Sequence, residues 1–99
     1  MKKKAENVRR KKLHRILDQV LDINGLGKRQ AKLTGNKPTA FYWINGHTGD
    51  LSVTVHSMGW YPGCNDSYSA YPYLDGSDCG PSLDSVIRDL DDLKERLHV

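Results

Sequence analysis

His47, His56, Cys64 and Cys79 are the side chains of this 99-residue chain best suited to ligate a metal or move a proton. Four such groups are enough for a tetrahedral zinc ion. Structural zinc sites, however, are built on short chelating pairs, and here the intervals are Cys-x14-Cys and His-x8-His. The sequence therefore predicts no metal site, and no other feature of it asks for a cofactor. A disulfide between Cys64 and Cys79 would close the tyrosine-rich segment between them, but two reduced thiols are the expected state, in keeping with a cytoplasmic location. His47 or His56 beside Asp50 has the composition of a general acid–base pair; turn and sheet-surface positions account for the same residues. Asp75 and Asp78 read as turn formers, because no further acids follow at the spacing of a calcium loop. No nucleophile elbow, P-loop or His-Glu metal helix occurs. Gly25-x-Gly27 is too short a match for a nucleotide loop, and no strand precedes it. The expectation is a protein that is not an enzyme.

Charge and aromatic content carry more. Residues 1–37 hold twelve bases (Lys2, Lys3, Lys4, Arg9, Arg10, Lys11, Lys12, Arg15, Lys28, Arg29, Lys32, Lys37) against Glu6, Asp18 and Asp22. Residues 38–99 reverse the balance, with nine acids (Asp50, Asp66, Asp75, Asp78, Asp84, Asp89, Asp91, Asp92, Glu95) against Arg88, Lys94 and Arg96. The net charge of +3 hides this split, which fits an anionic partner for one end or self-complementary packing. Four of the five tyrosines (Tyr61, Tyr68, Tyr71, Tyr73), with Trp60, lie among Ser, Gly, Asn and Pro. Tyrosine among small polar residues is a composition favoured at recognition surfaces.

The elements that would position these groups follow from periodicity. Residues 1–4 read as a frayed basic lead-in to a single domain. A helix is predicted from Ala5 to Ile23, with Val8, Leu13, Ile16, Leu17, Val20 and Leu21 as its apolar stripe and Gly25 in the left-handed position after it. Residues 25–38 form a basic, Gly-punctuated loop. Thr39–Ile44 and Leu51–Ser57 are predicted strands of an antiparallel hairpin, and Gly46 or Gly49 should take a positive φ in the turn. Phe41 and Trp43 are expected on the core face with Leu51, Val53 and Val55. Tyr42, Ile44, Thr54 and His56 are expected on the opposite face. Ser67–Leu74 is a third strand, made irregular or confined to an edge by Pro72. Ser82 caps a second helix running to Leu97, with Leu83, Val86, Ile87, Leu90, Leu93 and Leu97 on one face. The predicted class is α+β, in the order α-β-β-β-α, with two amphipathic helices on one face of a three-stranded antiparallel sheet. No segment approaches the roughly 18 apolar residues of a membrane span. The basic start has no apolar run after it, so no secretory signal is expected.

These readings converge on a non-catalytic binding protein that occupies a partner's surface. The expected partner contacts are Trp60, Tyr61, Tyr68, Tyr71 and Tyr73, with Asp89, Asp91, Asp92 and Glu95 of the acidic helix. The partner would be a protein, such as an enzyme with a nucleic-acid-binding groove that the acidic helix blocks. Compact motif-free inhibitors from phages and mobile elements, the anti-CRISPR proteins among them, share this format; the analogy is one of type, and a phage-encoded protein would act in the host cytoplasm. The alternative is direct nucleic-acid binding by Arg9, Arg10, Lys11, Lys12, Arg15, Lys28, Arg29 and Lys32, since phosphate contacts need charge more than spacing. Double-stranded-RNA-binding domains have the same element order, but they need a basic start to the second helix, where this chain has Pro81-Ser82-Leu83-Asp84. A homo-oligomer built through the helices is the third class.

Overall fold

The computed structural model describes residues 2–29, 37–77 and 80–99. They form α1 (Lys2–Asn24), β1 (Thr39–Asn45), β2 (Asp50–His56), β3 (Tyr68–Ala70) and α2 (Leu83–Leu97). The sheet is antiparallel in the order β1-β2-β3, and both helices pack on one face of it around an aliphatic core. The predicted α+β architecture is the observed one. No helix among the described residues is long and apolar enough to cross a membrane.

α2 forms for the reasons its sequence offers. Ser82 accepts a hydrogen bond from the Ser85 N–H at 3.1 Å, satisfying one of the free donors of the first turn. Asp84 lies in the first turn and Lys94 and Arg96 in the last, each favourable to the helix dipole. Leu83, Val86, Leu90 and Leu93 are buried. α1 differs from its predicted form in two ways. It starts at Lys2, so the basic lead-in is helical; Lys, Ala and Glu all favour helix. Its buried stripe is also rotated: Ile16, Val20 and Ile23 are buried, Leu17 is half-buried, and Val8 and Leu21 are exposed. Gln19 takes the core position that Leu17 and Leu21 would have shared. Its Nε2 donates to the Ile87 carbonyl at 2.8 Å and to Asp91 Oδ1 at 2.9 Å, which ties the two helices together. Gly25 ends α1, its N–H bonded to the Leu21 carbonyl at 2.7 Å.

The hairpin register decides which side chains face the helices. Asn45 pairs with Asp50, across a four-residue turn in which Gly49 has φ +70°. Trp43 then falls opposite Ser52, and Phe41 opposite Thr54. Residues directly opposite one another share a face, so Phe41 and Trp43 lie on the face away from the helices. Ala40, Tyr42 and Ile44 align with Val55, Val53 and Leu51 on the helix side. This reverses the predicted orientation of β1, whereas Thr54 and His56 lie outward as expected. The cause is that β1 is apolar at both parities, so alternation alone does not orient it; a one-residue offset flips every side chain. β3 is short, as Pro72 requires. Pro72 lends only its carbonyl, to the Leu51 N–H at 2.9 Å, and a single bridge joins Asp50 to Tyr73 beyond it.

The outer edge of β1 is partly covered by the end of α1. Asn24 Oδ1 accepts from the Ala40 N–H at 2.7 Å, and Asn24 Nδ2 donates to the Ala40 carbonyl at 2.9 Å. One side-chain amide thus imitates a neighbouring strand. Asn24→Ala is expected to cost about 1–3 kcal/mol, the penalty of leaving part-buried backbone groups unpaired. Urea denaturation checks this; a midpoint equal to that of the parent would mean that water replaces the amide freely.

Candidate functional site

No Phe, Trp or Tyr is fully buried in the core of this domain; Tyr42 and Tyr68 only pack against its margin. Among the described residues every buried hydrophobic is Ile, Val, Leu or Ala, save the ring of Pro72. Aromatic side chains ordinarily dominate the energetics of small cores. Here five of the eight Phe, Trp and Tyr residues are exposed instead: Phe41, Trp43, Trp60, Tyr61 and Tyr71. Tyr42, Tyr68 and Tyr73 are half-buried.

Sheet geometry gathers three of these five. β2 and β3 pair so that Val53 faces Ala70, and the Asp50–Tyr73 bridge keeps that register past Pro72. Tyr71 therefore lies beside Ser52, which has Trp43 on its other side. The next row is Phe41, Thr54 and Ser69. The outward face is thus a patch of rings alternating with short hydroxyls, and neither α1 nor α2 lies on it. Trp43 is 66% exposed, Tyr71 50% and Phe41 42%. No Lys or Arg occupies an outward strand position. Asp50 does, held by the Thr48 hydroxyl, and Asn45 beside it donates to Ser52 Oγ at 3.1 Å.

Trp60 and Tyr61 belong to the loop 57–67, which is anchored at one end of this face. The Ser67 N–H bonds the Val55 carbonyl at 2.8 Å, and the Ser57 N–H bonds Ser67 Oγ at 3.0 Å. Inside the loop, Tyr61-Pro62-Gly63-Cys64 is a tight turn closed by the Cys64 N–H on the Tyr61 carbonyl at 3.0 Å. Gly63 has φ +86°, as the third position of a Pro-Gly type II turn requires. The turn brings Cys64 to His56 and Asp66 to the far side of the same ring. Sequence reasoning paired His47 or His56 with Asp50, weighed Cys64 only as a metal ligand or disulfide partner, and missed Asp66; the Pro62-Gly63 turn six residues downstream of His56 was the available signal.

The other expected partner residues are divided. Tyr68 faces the helices and donates its hydroxyl to Asp89 at 3.0 Å. Burial, then that hydrogen bond and the carboxylate charge, raise its pKa well above that of a free tyrosine, so it stays protonated. Tyr73 is half-buried beside Gly80, whose backbone leaves it room. Asp91 is held by Arg15 at 3.4 Å and by Gln19. Asp92 and Glu95 are exposed and form no ion pair among the described residues.

The basic candidates divide in the same way. Lys12 pairs with Asp84 at 3.1 Å and Arg15 with Asp91, while Lys94 returns to Asp22 at 2.7 Å. The charge split of the sequence is thus partly folded onto itself between α1 and α2. These pairs are exposed, and each is worth at most about 1 kcal/mol. The Arg9 stem lies over Gly76, and its charge helps to hold Asp75 below the usual carboxylate range, after the hydrogen bonds from Ser77. Arg29 donates to the Asn24 and Pro38 carbonyls and to Thr39, fixing the end of its loop. Arg10, Lys11 and Lys28 are exposed with no ion pair among the described residues. Lys32 and Cys79 lie outside the described residues; Cys64 is a free thiol. Among the described residues no three His, Cys, Asp or Glu side chains converge as a metal site would need.

No family model, curated protein or solved structure matches this chain.

Proposed function

We propose that this is a non-catalytic binding protein whose docking surface is the open sheet face of Phe41, Trp43 and Tyr71, flanked by Trp60 and Tyr61. The carrying observation is the placement of the aromatic rings: the fully buried core is aliphatic, and three large rings stand exposed on one sheet face with two more in the adjoining loop. Packing does not explain that choice, because exposed rings of this size contribute little to folding. Rings interleaved with Ser and Thr offer much contact area at low entropy cost, the mark of recognition surfaces. The reading shifts the expected contact from the acidic helix to the sheet, since Asp89 and Asp91 are engaged within the domain.

The proposed partner is a protein with an apolar patch and a basic rim. Asp50 and Asp66 flank the face, and its outward strand positions carry no cation, which disfavours a polyanion there. Inhibition of a nucleic-acid enzyme remains the preferred biological setting, because a basic partner groove would suit this acidic margin.

A second reading is favoured by α1 itself. Lys3 and Lys4 oppose the dipole of their own helix, which has no acid in its first turn. Lys3, Lys4, Arg10 and Lys11 remain exposed. Fold stability does not select such a helix start, whereas phosphate contact would. The two readings separate in one experiment. Arg10→Glu with Lys11→Glu is expected to leave capture of a host protein unchanged, and Trp43→Ser with Tyr71→Ser to abolish it. The opposite pattern, with the charge variant losing affinity for duplex DNA and its salt slope falling by about two, would establish the nucleic-acid reading instead.

A further inference from the structure

We infer that His56, Cys64 and Asp66 form a nucleophilic relay that activates the Cys64 thiol for exchange with small disulfides. His56 stands between the other two. Its Nδ1 is 3.3 Å from Cys64 Sγ, and its Nε2 is 3.2 Å from Asp66 Oδ1. A nucleophile within reach of a base, with the base oriented by a third group, is the arrangement that nucleophilic catalysis needs. The order of the groups also fixes the proton. An ionised carboxylate only accepts hydrogen bonds, so Asp66 draws the imidazole N–H to Nε2 and leaves the Nδ1 lone pair facing the thiol.

The surroundings hold this geometry. His56 is 5% exposed, and its ring meets the Phe41 ring edge-on, with centroids 5.8 Å apart and planes at 89°. It has little freedom to turn away. The Pro62–Gly63 turn fixes Cys64 from the other side. The Tyr61 N–H donates to Sγ across 3.4 Å, which holds the sulfur in place. Cys64 carries a free thiol and is only half-buried, so a small reagent can reach it. A simple latch for the loop would need none of this polarity; an apolar pair would pack the same space without a carboxylate behind it.

The step balances within this set and one co-reactant, a low-molecular-weight disulfide R–S–S–R. The Cys64 proton passes to His56 Nδ1. The thiolate attacks one sulfur of the disulfide, the new S–S bond forms, and the old one breaks. The departing thiolate takes the proton from His56 and leaves as R–SH. Cys64 sulfur is oxidised and the leaving sulfur reduced, with no other oxidant required. The product is a mixed disulfide on the loop that carries Trp60 and Tyr61.

The test reads Cys64 alone, in a Cys79→Ser protein, using 4,4′-dithiodipyridine as the disulfide and following released thiopyridone and the adduct mass. It needs no docking partner, so its outcome is independent of the proposed function. Burial by itself slows a thiol, so acceleration is the signature. The folded protein is expected to react about tenfold or more faster than the same chain in denaturing urea, less than the roughly 100-fold or more that a positioned base alone supplies because partial burial offsets part of the gain. His56→Gln and Asp66→Asn, each confirmed folded by circular dichroism, are expected to lose most of that gain. A folded rate equal to or below the unfolded rate overturns the relay, as does a folded His56→Gln protein that reacts as fast as the parent. If His56→Gln does not fold, the comparison of folded with unfolded parent, together with Asp66→Asn, decides.

Discussion

Leu90→Ala is expected to destabilise the domain by about 2–5 kcal/mol, the range for emptying a fully buried leucine site. Leu90 is completely buried, in the middle of α2, where that helix meets both α1 and the sheet. The cavity would have no easy route to collapse. Leu51, Val53 and Val55 of β2 and Ile16 of α1, all fully buried, belong to the same core cluster. For a domain of this size each kcal/mol moves Tm by about 4–8 °C, so the loss is large in a thermal melt. Ile16→Ala is expected to fall in the same range. Leu17→Ala should cost clearly less, because Leu17 is only half-buried. Equal losses at Leu17 and Ile16 would mean that α1 is rotated by one position from the orientation described. A Leu90→Ala protein melting with the parent would mean that α2 does not pack through this face.

The contrast between the helices shows what was legible in the sequence. α2 presents one parity of choice: every large aliphatic residue lies on one stripe, with a Ser cap before it and dipole-matched charges along it. α1 offers two overlapping stripes, one through Leu17 and Leu21 and one through Ile16, Gln19, Val20 and Ile23. A polar Gln counts against the second stripe until its partners on α2 are known. Those partners are 68 and 72 residues away, beyond any local pattern. β1 was ambiguous for a related reason. Phe41 and Trp43 are more apolar than Ala40 and Tyr42, so hydrophobicity favoured the wrong face. Only the four-residue turn and the Asn45–Asp50 pair settle the register. Of the exposed rings, the sequence singled out Trp60, Tyr61 and Tyr71, but it turned Phe41 and Trp43 to the core. The relay was legible in none of its distances, since it depends on the fold of the loop 57–67.

The second large effect is expected on the sheet face, where stability and binding should part company. Trp43→Ser with Tyr71→Ser removes two exposed rings and leaves β1, β2 and the bridge past Pro72 with their backbone pairing. Cross-strand aromatic contacts are worth about 0.2–1 kcal/mol, so the doubly substituted domain should lose no more than about 1 kcal/mol in urea denaturation. Its affinity for a captured protein partner should fall much further. A central aromatic anchor typically contributes 2 kcal/mol or more, about thirtyfold in affinity per residue. Trp43 is the stronger candidate of the two, being the larger and the more exposed. Two other results would redirect the reading. A loss of stability comparable with that of Leu90→Ala would make the rings structural. A parent that sediments as a dimer, and becomes monomeric in the variant, would make a second copy of this chain the occupant of the face. Unchanged capture in a monomeric, stable variant would remove the sheet face from consideration and leave the exposed cations of α1 as the remaining docking candidate.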